Sequence, residues 1–461
     1  MNAKAKDQLS TGDKLIRVLM FTLIISMMSG LMFNIVLPEI SREFHLGIAQ
    51  VSWLSSAYFL IYAIGTVTYG KLADSYKLKS LLTFGLLLFA AGSLVGLASH
   101  TFWLALAGRC LQAAGAASIP AAAMLIPVRY FPPERRGSAL GMSAVGLALG
   151  NALGPVVSSL IVSLAHWRWL FAVPPLILVT LLFYRKYLKE EPEGTPGMFD
   201  WIGGGLLGVT VALLLLGVTG GSSLMLLIGL IVLGLFILRV LKTPAPFIQP
   251  KLFRNKSYTC GLTVAFLVNG IGFSFYFLTP LLLAKVQALD PGWVGFAMVP
   301  AALASALLGR IGGKLADSRG NSYLFFIASG GLLLSFILLS SFTGGSAFLI
   351  ALFLIFGNVG QSFILIALSN TISRTLPKEQ VGVGMGLMSM LNFIAGGMAT
   401  GIYSRVVEYG AGHPWNPVNL DANGSVFSNI YFVLAILHVM ILVFYYIQFG
   451  ESKRTALQVE G

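Results

Sequence analysis

The stretch Gly70-Lys71-Leu72-Ala73-Asp74-Ser75 recurs letter for letter as Gly313-Lys314-Leu315-Ala316-Asp317-Ser318, 243 residues further on. A second correspondence lies at an offset of 245, where Arg129, Pro132, Glu134, Gly137 and Gly141 align with Arg374, Pro377, Glu379, Gly382 and Gly386. Chance is a poor account of two ordered matches at nearly one offset. The chain is built twice from one unit, and the segments between the matches define that unit.

Those segments are apolar runs near 20 residues, the length that crosses a hydrocarbon core of about 30 Å. Hydropathy gives fourteen spans, at 16–38, 51–70, 80–98, 103–126, 138–164, 169–187, 200–218, 223–241, 258–284, 292–313, 322–341, 346–371, 382–406 and 428–449. The repeated motifs follow the second and fourth span of each half and are expected in inner loops. A parallel repeat of a six-helix unit is an arrangement by which transporters build a site near the membrane midplane. The expected fold is an all-α membrane protein: a six-helix bundle over 1–187, a linker and two additional helices over 188–257, and a second six-helix bundle over 258–461. Gly220 and Gly221 alone separate the seventh and eighth runs; one bent span there gives thirteen helices and an external C-terminus.

Composition agrees. Of 461 residues, 56% are hydrophobic and 10% charged, too little charge to cover a soluble surface of this size. A formal charge of +13 on one soluble face would point to nucleic acid. Here the cations are spread among short loops, so topology explains them and no nucleic-acid partner is expected. With the N-terminus inside, 24 of the 30 Lys and Arg fall on inner segments, four on outer ones (Arg42, Arg168, Lys285 and Arg405), and Arg109 and Arg310 within spans. That asymmetry is the positive-inside pattern and places both termini in the cytoplasm. Cys110 and Cys260 fall inside spans, which argues against a disulfide framework or a metal site. The sequence shows no phosphate loop, metal-ligand cluster or nucleophile–base set, so neither a cofactor nor an enzyme is expected.

Arg109 is the most informative single residue, because a guanidinium inside a span costs a few kcal/mol unless it faces a polar cavity or partners. Gln112 shares its helix face. A structural arginine paired with backbone carbonyls is the alternative reading. Arg310 lies one turn from Lys314 and can snorkel to the inner surface. Gly146, Gly150 and Gly154 recur every fourth residue and permit close helix approach, and Pro155 permits a bend. Aromatic and amide residues that can line a cavity are Asn34, Tyr58, Tyr62, Asn269, Phe273, Tyr276, Asn358, Gln361 and Asn392; they offer stacking and hydrogen bonds with almost no fixed charge. His438 lies within a span, where a lipid-edge position is expected. The outer loop near 407–427, with Trp415 and Asn416, reads as a surface insertion or a cap on the external mouth.

The motifs together resemble the major facilitator superfamily, along the whole chain. Gly70-Lys71-Leu72-Ala73-Asp74 with Lys79 is similar to the family's loop between helices 2 and 3. Arg109, Gln112 and Gly115 match its fourth-helix pattern, and Gly146, Gly150, Gly154 and Pro155 match the fifth-helix motif of drug–proton antiporters. Asn34-Ile35-Val36-Leu37-Pro38 is similar to the end of helix 1 in the fourteen-helix branch. Phe199-Asp200 and Gly382-x-Gly384-Met385 resemble the Gram-positive tetracycline–proton antiporters. The resemblance implies a latch role for Asp74 and its copy Asp317, a part for Arg109 in proton or substrate handling, and export of lipophilic small molecules in exchange for protons. It places Gly30, Asn151 and Gly396 where that subgroup carries buried acids, which argues against tetracycline–metal transport and against carboxylate-based coupling. Alternatives are a facilitator or a metabolite or lipid exporter without coupling, and a transport-dead scaffold or sensor. The expected partners are a lipophilic substrate, protons and membrane lipid. A monomer in a bacterial plasma membrane is the expected working form.

The topology is tested by single cysteines. Gly221→Cys and Gly344→Cys should react with an impermeant thiol reagent in intact cells, whereas Ser75→Cys, Ser318→Cys and Thr375→Cys should not. Labelling of Gly344→Cys from the inside only means that the seventh and eighth helices are one span.

Overall fold

The computed structural model describes residues 3–73, 76–131, 133–188, 200–244, 246–376, 381–410, 415–419 and 424–450. Fourteen helices among them are long and apolar enough to cross a membrane: α1 (Thr11–Phe44), α2 (Ile48–Gly70), α3 (Leu78–Leu97), α4 (Phe102–Pro127), α5 (Val145–Leu164), α6 (Trp167–Tyr187), α7 (Trp201–Val218), α8 (Ser223–Lys242), α9 (Lys256–Lys285), α10 (Gly292–Gly309), α11 (Asn321–Ser341), α12 (Ala347–Arg374), α13 (Gly384–Tyr409) and α14 (Ser425–Phe449). The described residues contain no strand. Helices satisfy their backbone groups internally, which is what a hydrocarbon solvent demands.

The turn at Gly220 and Gly221 separates two helices. Gly221 takes φ 63° as a left-handed cap, and Ser222 accepts the Met225 N–H to start α8. The second copy of the hexapeptide is a correction to expectation. Gly313–Ser318 is no loop but the end of a helix that continues to Arg319. Lys, Leu and Ala are good helix formers, and the chain turns only at Gly320, whose φ of 91° suits glycine. In the first copy the helix runs to Leu72, and Asp74 and Ser75 lie outside the described residues.

The chain forms two compact units, Met1–Gln249 and Pro250–Gly461. Each pairs its helices in the same way. In the first unit α1 packs on α5, α3 on α4 and α6, and α2 on α4; in the second α9 packs on α13, α11 on α12 and α14, and α10 on α12. The repeat in the sequence is therefore a repeat in packing. The additional helices α7 and α8 belong to the first unit, where α7 rests on α2 and α8 pairs with α7.

The α1–α5 seam explains the glycine spacing. A Cβ on Gly146 would stand 2.8 Å from the Met20 carbonyl oxygen, on Gly150 2.7 Å from that of Ile24, and on Gly154 3.2 Å from that of Met28. One carbonyl every fourth residue on α1 meets one glycine every fourth residue on α5, and the missing side chains of α5 let the two backbones come close. Pro155 sits inside a helix that runs unbroken from Pro133 to Leu164, and it leaves the Asn151 carbonyl without its helical donor. Ser158 of α5 donates to the Met32 carbonyl at 2.6 Å, where α1 is interrupted for one residue.

The glycines should rank by these distances. Gly150→Val should cost about 1–3 kcal/mol and lower the thermal midpoint in detergent, whereas Gly154→Ala should cost less. Equal midpoints for Gly150→Val and the parent protein would contradict the seam.

Candidate functional site: a caged guanidinium and an amide-aromatic face

In the first unit the site is built around Arg109, which is fully buried. Its Nε donates to the Leu54 carbonyl at 3.0 Å, one terminal nitrogen donates to the Ser29 carbonyl at 3.0 Å and to Gln112 Oε1 at 3.0 Å, and the other donates to the Gly30 carbonyl at 3.4 Å. The rings of Phe33 and Tyr58 lie 4.4 and 4.0 Å from the guanidinium carbon. Ser29 and Gly30 belong to the turn just before the interruption of α1 at Met32, where a helix end has carbonyls to offer. Gln112 passes the network on, its Nε2 donating to Ser93 Oγ of α3 at 2.8 Å. Gly92 and Gly108 make this possible, since the Cβ of an alanine at Gly108 would meet the Gly92 carbonyl at 2.8 Å.

These magnitudes decide the balance. An arginine at a helix centre costs about 2.5–3.5 kcal/mol on insertion scales, and hydrogen bonds from a charged donor return about 1.5–3 kcal/mol each. Four of them, with two aromatic faces, offset the cost without any carboxylate. The geometry is that of an arginine paired with carbonyls. The first-unit residues expected to line a cavity are all buried around it: Asn34 accepts from Ser55 Oγ at 2.6 Å, and Tyr58 stacks on Tyr62 with ring centroids 6.0 Å apart. Asn151 is half-buried on α5.

The second unit differs. On α9 the half-exposed positions Phe266, Asn269, Gly270, Phe273 and Tyr276 share one helical face, and Asn392 of α13 is half-exposed beside it. Asn269 Nδ2 donates to the Asn392 carbonyl at 2.8 Å and Tyr403 OH to the Gly270 carbonyl at 2.8 Å. Gln361 of α12 packs against Gly272 and donates from Nε2 to the Val268 carbonyl at 3.4 Å. Asn358 is buried and donates to the Leu354 carbonyl of its own helix at 3.0 Å. The Phe273 ring fills the space beside Gly396, so an aromatic side chain stands in that seam where carbonyls of α1 meet the glycines of α5.

Of the gating residues, Gly70 is exposed and Lys79 half-exposed at the start of α3, Lys71 and Asp317 are helical in backbone, and Asp74 lies outside the described residues. His438 is not at a lipid edge: it is fully buried on α14, the helix that packs against α11. Three features went unforeseen. Asp200 caps α7 by accepting the Gly203 N–H at 2.9 Å, and it also receives Arg239 Nε at 3.1 Å and the Phe247 N–H at 3.2 Å. At the far end of α1, Glu43 accepts Arg168 at 2.7 Å and the Trp167 indole N–H, while Arg168 also donates to the Ser99 carbonyl. Asn416 pins the loop before α14, donating to Ser428 Oγ at 2.8 Å.

Fourteen apolar helices in two units that repeat one packing scheme define a multi-pass membrane protein of the transporter class. The model of the Major Facilitator Superfamily matches residues 19–400, and the chain belongs to that family. It is similar to the riboflavin transporter RibZ of Clostridioides difficile (strain 630), 25% identical over 386 residues, which cover 82% of this chain and 84% of that one. It is also similar to the lincomycin resistance protein LmrB of Listeria monocytogenes, 27% identical over 406 residues, with 84% of each chain covered. Among solved structures, a POT family transporter in complex with 5-aminolevulinic acid matches with a TM-score of 0.70 over 96% of both chains at 13% identity, a likeness of fold.

Asp200 yields a pH prediction. Burial pushes its carboxyl upward, but the Gly203 and Phe247 N–H groups and the Arg239 guanidinium outweigh that and hold it below its ordinary 3.8. A lowered folded value means that its contribution is complete above the unfolded value and fades only as pH falls through the lower folded one. The difference in thermal midpoint between the parent and Asp200→Asn should therefore stay constant between about pH 5 and pH 8. A difference that shrinks as pH drops from 8 to 5 would contradict the joint.

Proposed function

We propose that this chain exports lipophilic small molecules from the cytoplasm by alternating access, as a monomer in a bacterial plasma membrane with both termini inside. The observation that carries the reading is the accessible face of α9 and α13, where Phe273 and Tyr276 offer stacking and Asn269 and Asn392 offer amides without a fixed charge. Such surfaces bind ring-containing organic molecules through stacking and a few oriented polar groups. The names of two similar proteins, a lincomycin resistance protein and a riboflavin transporter, refer to small organic molecules.

Proton coupling is weak in this reading. None of the 17 acids falls in mid-span, and Asp200, the one carboxylate at the inner end of α7, is held ionised by three donors. Arginine does not release its proton at working pH. Facilitated movement without coupling is the second reading, and this distribution of acids favours it. Asp74 serves as an inner latch, with Asp317 as its lesser copy.

Proteoliposomes loaded with a pH-sensitive dye test the proposal when a panel of lipophilic compounds is added. Saturable transport with little proton movement is expected; Asp74→Asn should slow it several-fold with folded protein retained, and Asp317→Asn should slow it less. Absence of transport across the panel counts against export, and robust substrate-dependent proton flux counts against weak coupling.

A further inference from the structure

Among the buried polar atoms of the second unit that have no partner among the described residues are two amide oxygens next to α9, Gln361 Oε1 and Asn392 Oδ1. Their orientation is not arbitrary. Gln361 faces the Val268 carbonyl, which accepts only from a donor, so Nε2 points there and Oε1 points away. Both amides flank α9 at Val268 and Asn269, the positions at which α12 and α13 reach it. Asn392 borders the half-exposed aromatic face of α9, with Phe273 and Tyr276 one and two turns on from Asn269, and Gln361 closes the other flank against the buried Val268 and Gly272. Gly270 leaves room, since the nearest heavy atom to a Cβ built there is the Ala395 carbonyl oxygen at 4.0 Å.

A buried amide oxygen without a donor is costly. In water-accessible clefts such oxygens are met by water, and a ligand that displaces the water must bring donors of its own. Charge adds a second condition. The spans hold no acid in their middle. A lipophilic cation therefore finds no counter-charge, and leaving water uncompensated is expensive.

We infer, on the strength of the export reading, that the transported molecules are neutral and present N–H or O–H donors to Gln361 and Asn392, and that lipophilic cations are not carried. Specificity then follows a simple asymmetry: a site built to receive a donor rejects the analogue that lacks it more sharply than it senses a change in bulk.

Binding to purified protein in detergent tests this apart from transport. The probes are neutral heteroaromatic amines, their N-methylated counterparts and tetraphenylphosphonium. The N–H members should bind about fivefold or more tightly than their methylated partners, and tetraphenylphosphonium should not compete. In Gln361→Met and Asn392→Leu, checked for a monodisperse fold, the N–H preference should collapse while affinity for the methylated members stays near that of the parent. A preference that survives both substitutions overturns the inference, as does competition by tetraphenylphosphonium or failure of every N–H member to bind. A protein that binds with this selectivity and moves nothing across a bilayer counts against export alone.

Discussion

A guanidinium buried in hydrocarbon has to be paid for with hydrogen bonds, and the way Arg109 meets that demand organises the first unit. Its donors reach the Leu54 carbonyl of α2, the Ser29 and Gly30 carbonyls of α1, and Gln112 on its own helix, which reaches on to Ser93 of α3. Four helices converge on one side chain. Because the partners are backbone carbonyls, the arrangement fixes where α1 is interrupted and how close α2 comes. The glycine track of α5 closes the other side of α1, backbone on backbone. From Ile25 to Leu37 every residue of α1 is buried as a result.

The second unit repeats the packing scheme and departs from it in chemistry. Its equivalent seam, α9 on α13, is held by side chains: Tyr258 OH donates to the Gly384 carbonyl at 2.8 Å, Asn269 to that of Asn392, and the Phe273 ring lies on Gly396. Side chains hold helices further apart than bare glycine does, and they leave amide and aromatic groups within reach of a ligand. One scaffold thus occurs twice, with a caged guanidinium in the first copy and amide and aromatic side chains along the α9–α13 seam of the second. The additional pair α7 and α8 sits on the first copy and is tied off by Asp200.

The spans and the repeat were legible in the sequence because each is written in side chains: runs near 20 apolar residues, and a hexapeptide copied intact. The partners of Arg109 were not. A backbone carbonyl has no letter in a sequence, so the arginine could be seen to need partners without the partners being seen. The same reason hid the direction of the glycine track, whose contacts are carbonyls of α1. Two of the partners of Asp200, Arg239 and the Phe247 N–H, stand 39 and 47 residues away, beyond any local pattern. The second hexapeptide misled in the opposite sense: its glycine read as a helix end, yet the left-handed position that stops the helix is Gly320. His438 read as a lipid-edge residue because hydropathy gives depth in the membrane and not the side of the helix.

On the proposed reading the working surface lies on α9 and not on its counterpart α1. The most direct measurement is the thiol reactivity of Phe273→Cys and Ser26→Cys in otherwise intact protein, with and without a transported compound. The account predicts that Phe273→Cys reacts readily and is protected by the compound, while Ser26→Cys, fully buried beside the Arg109 cage, stays unreactive in both conditions. Reaction and protection at Ser26→Cys with none at Phe273→Cys would contradict it.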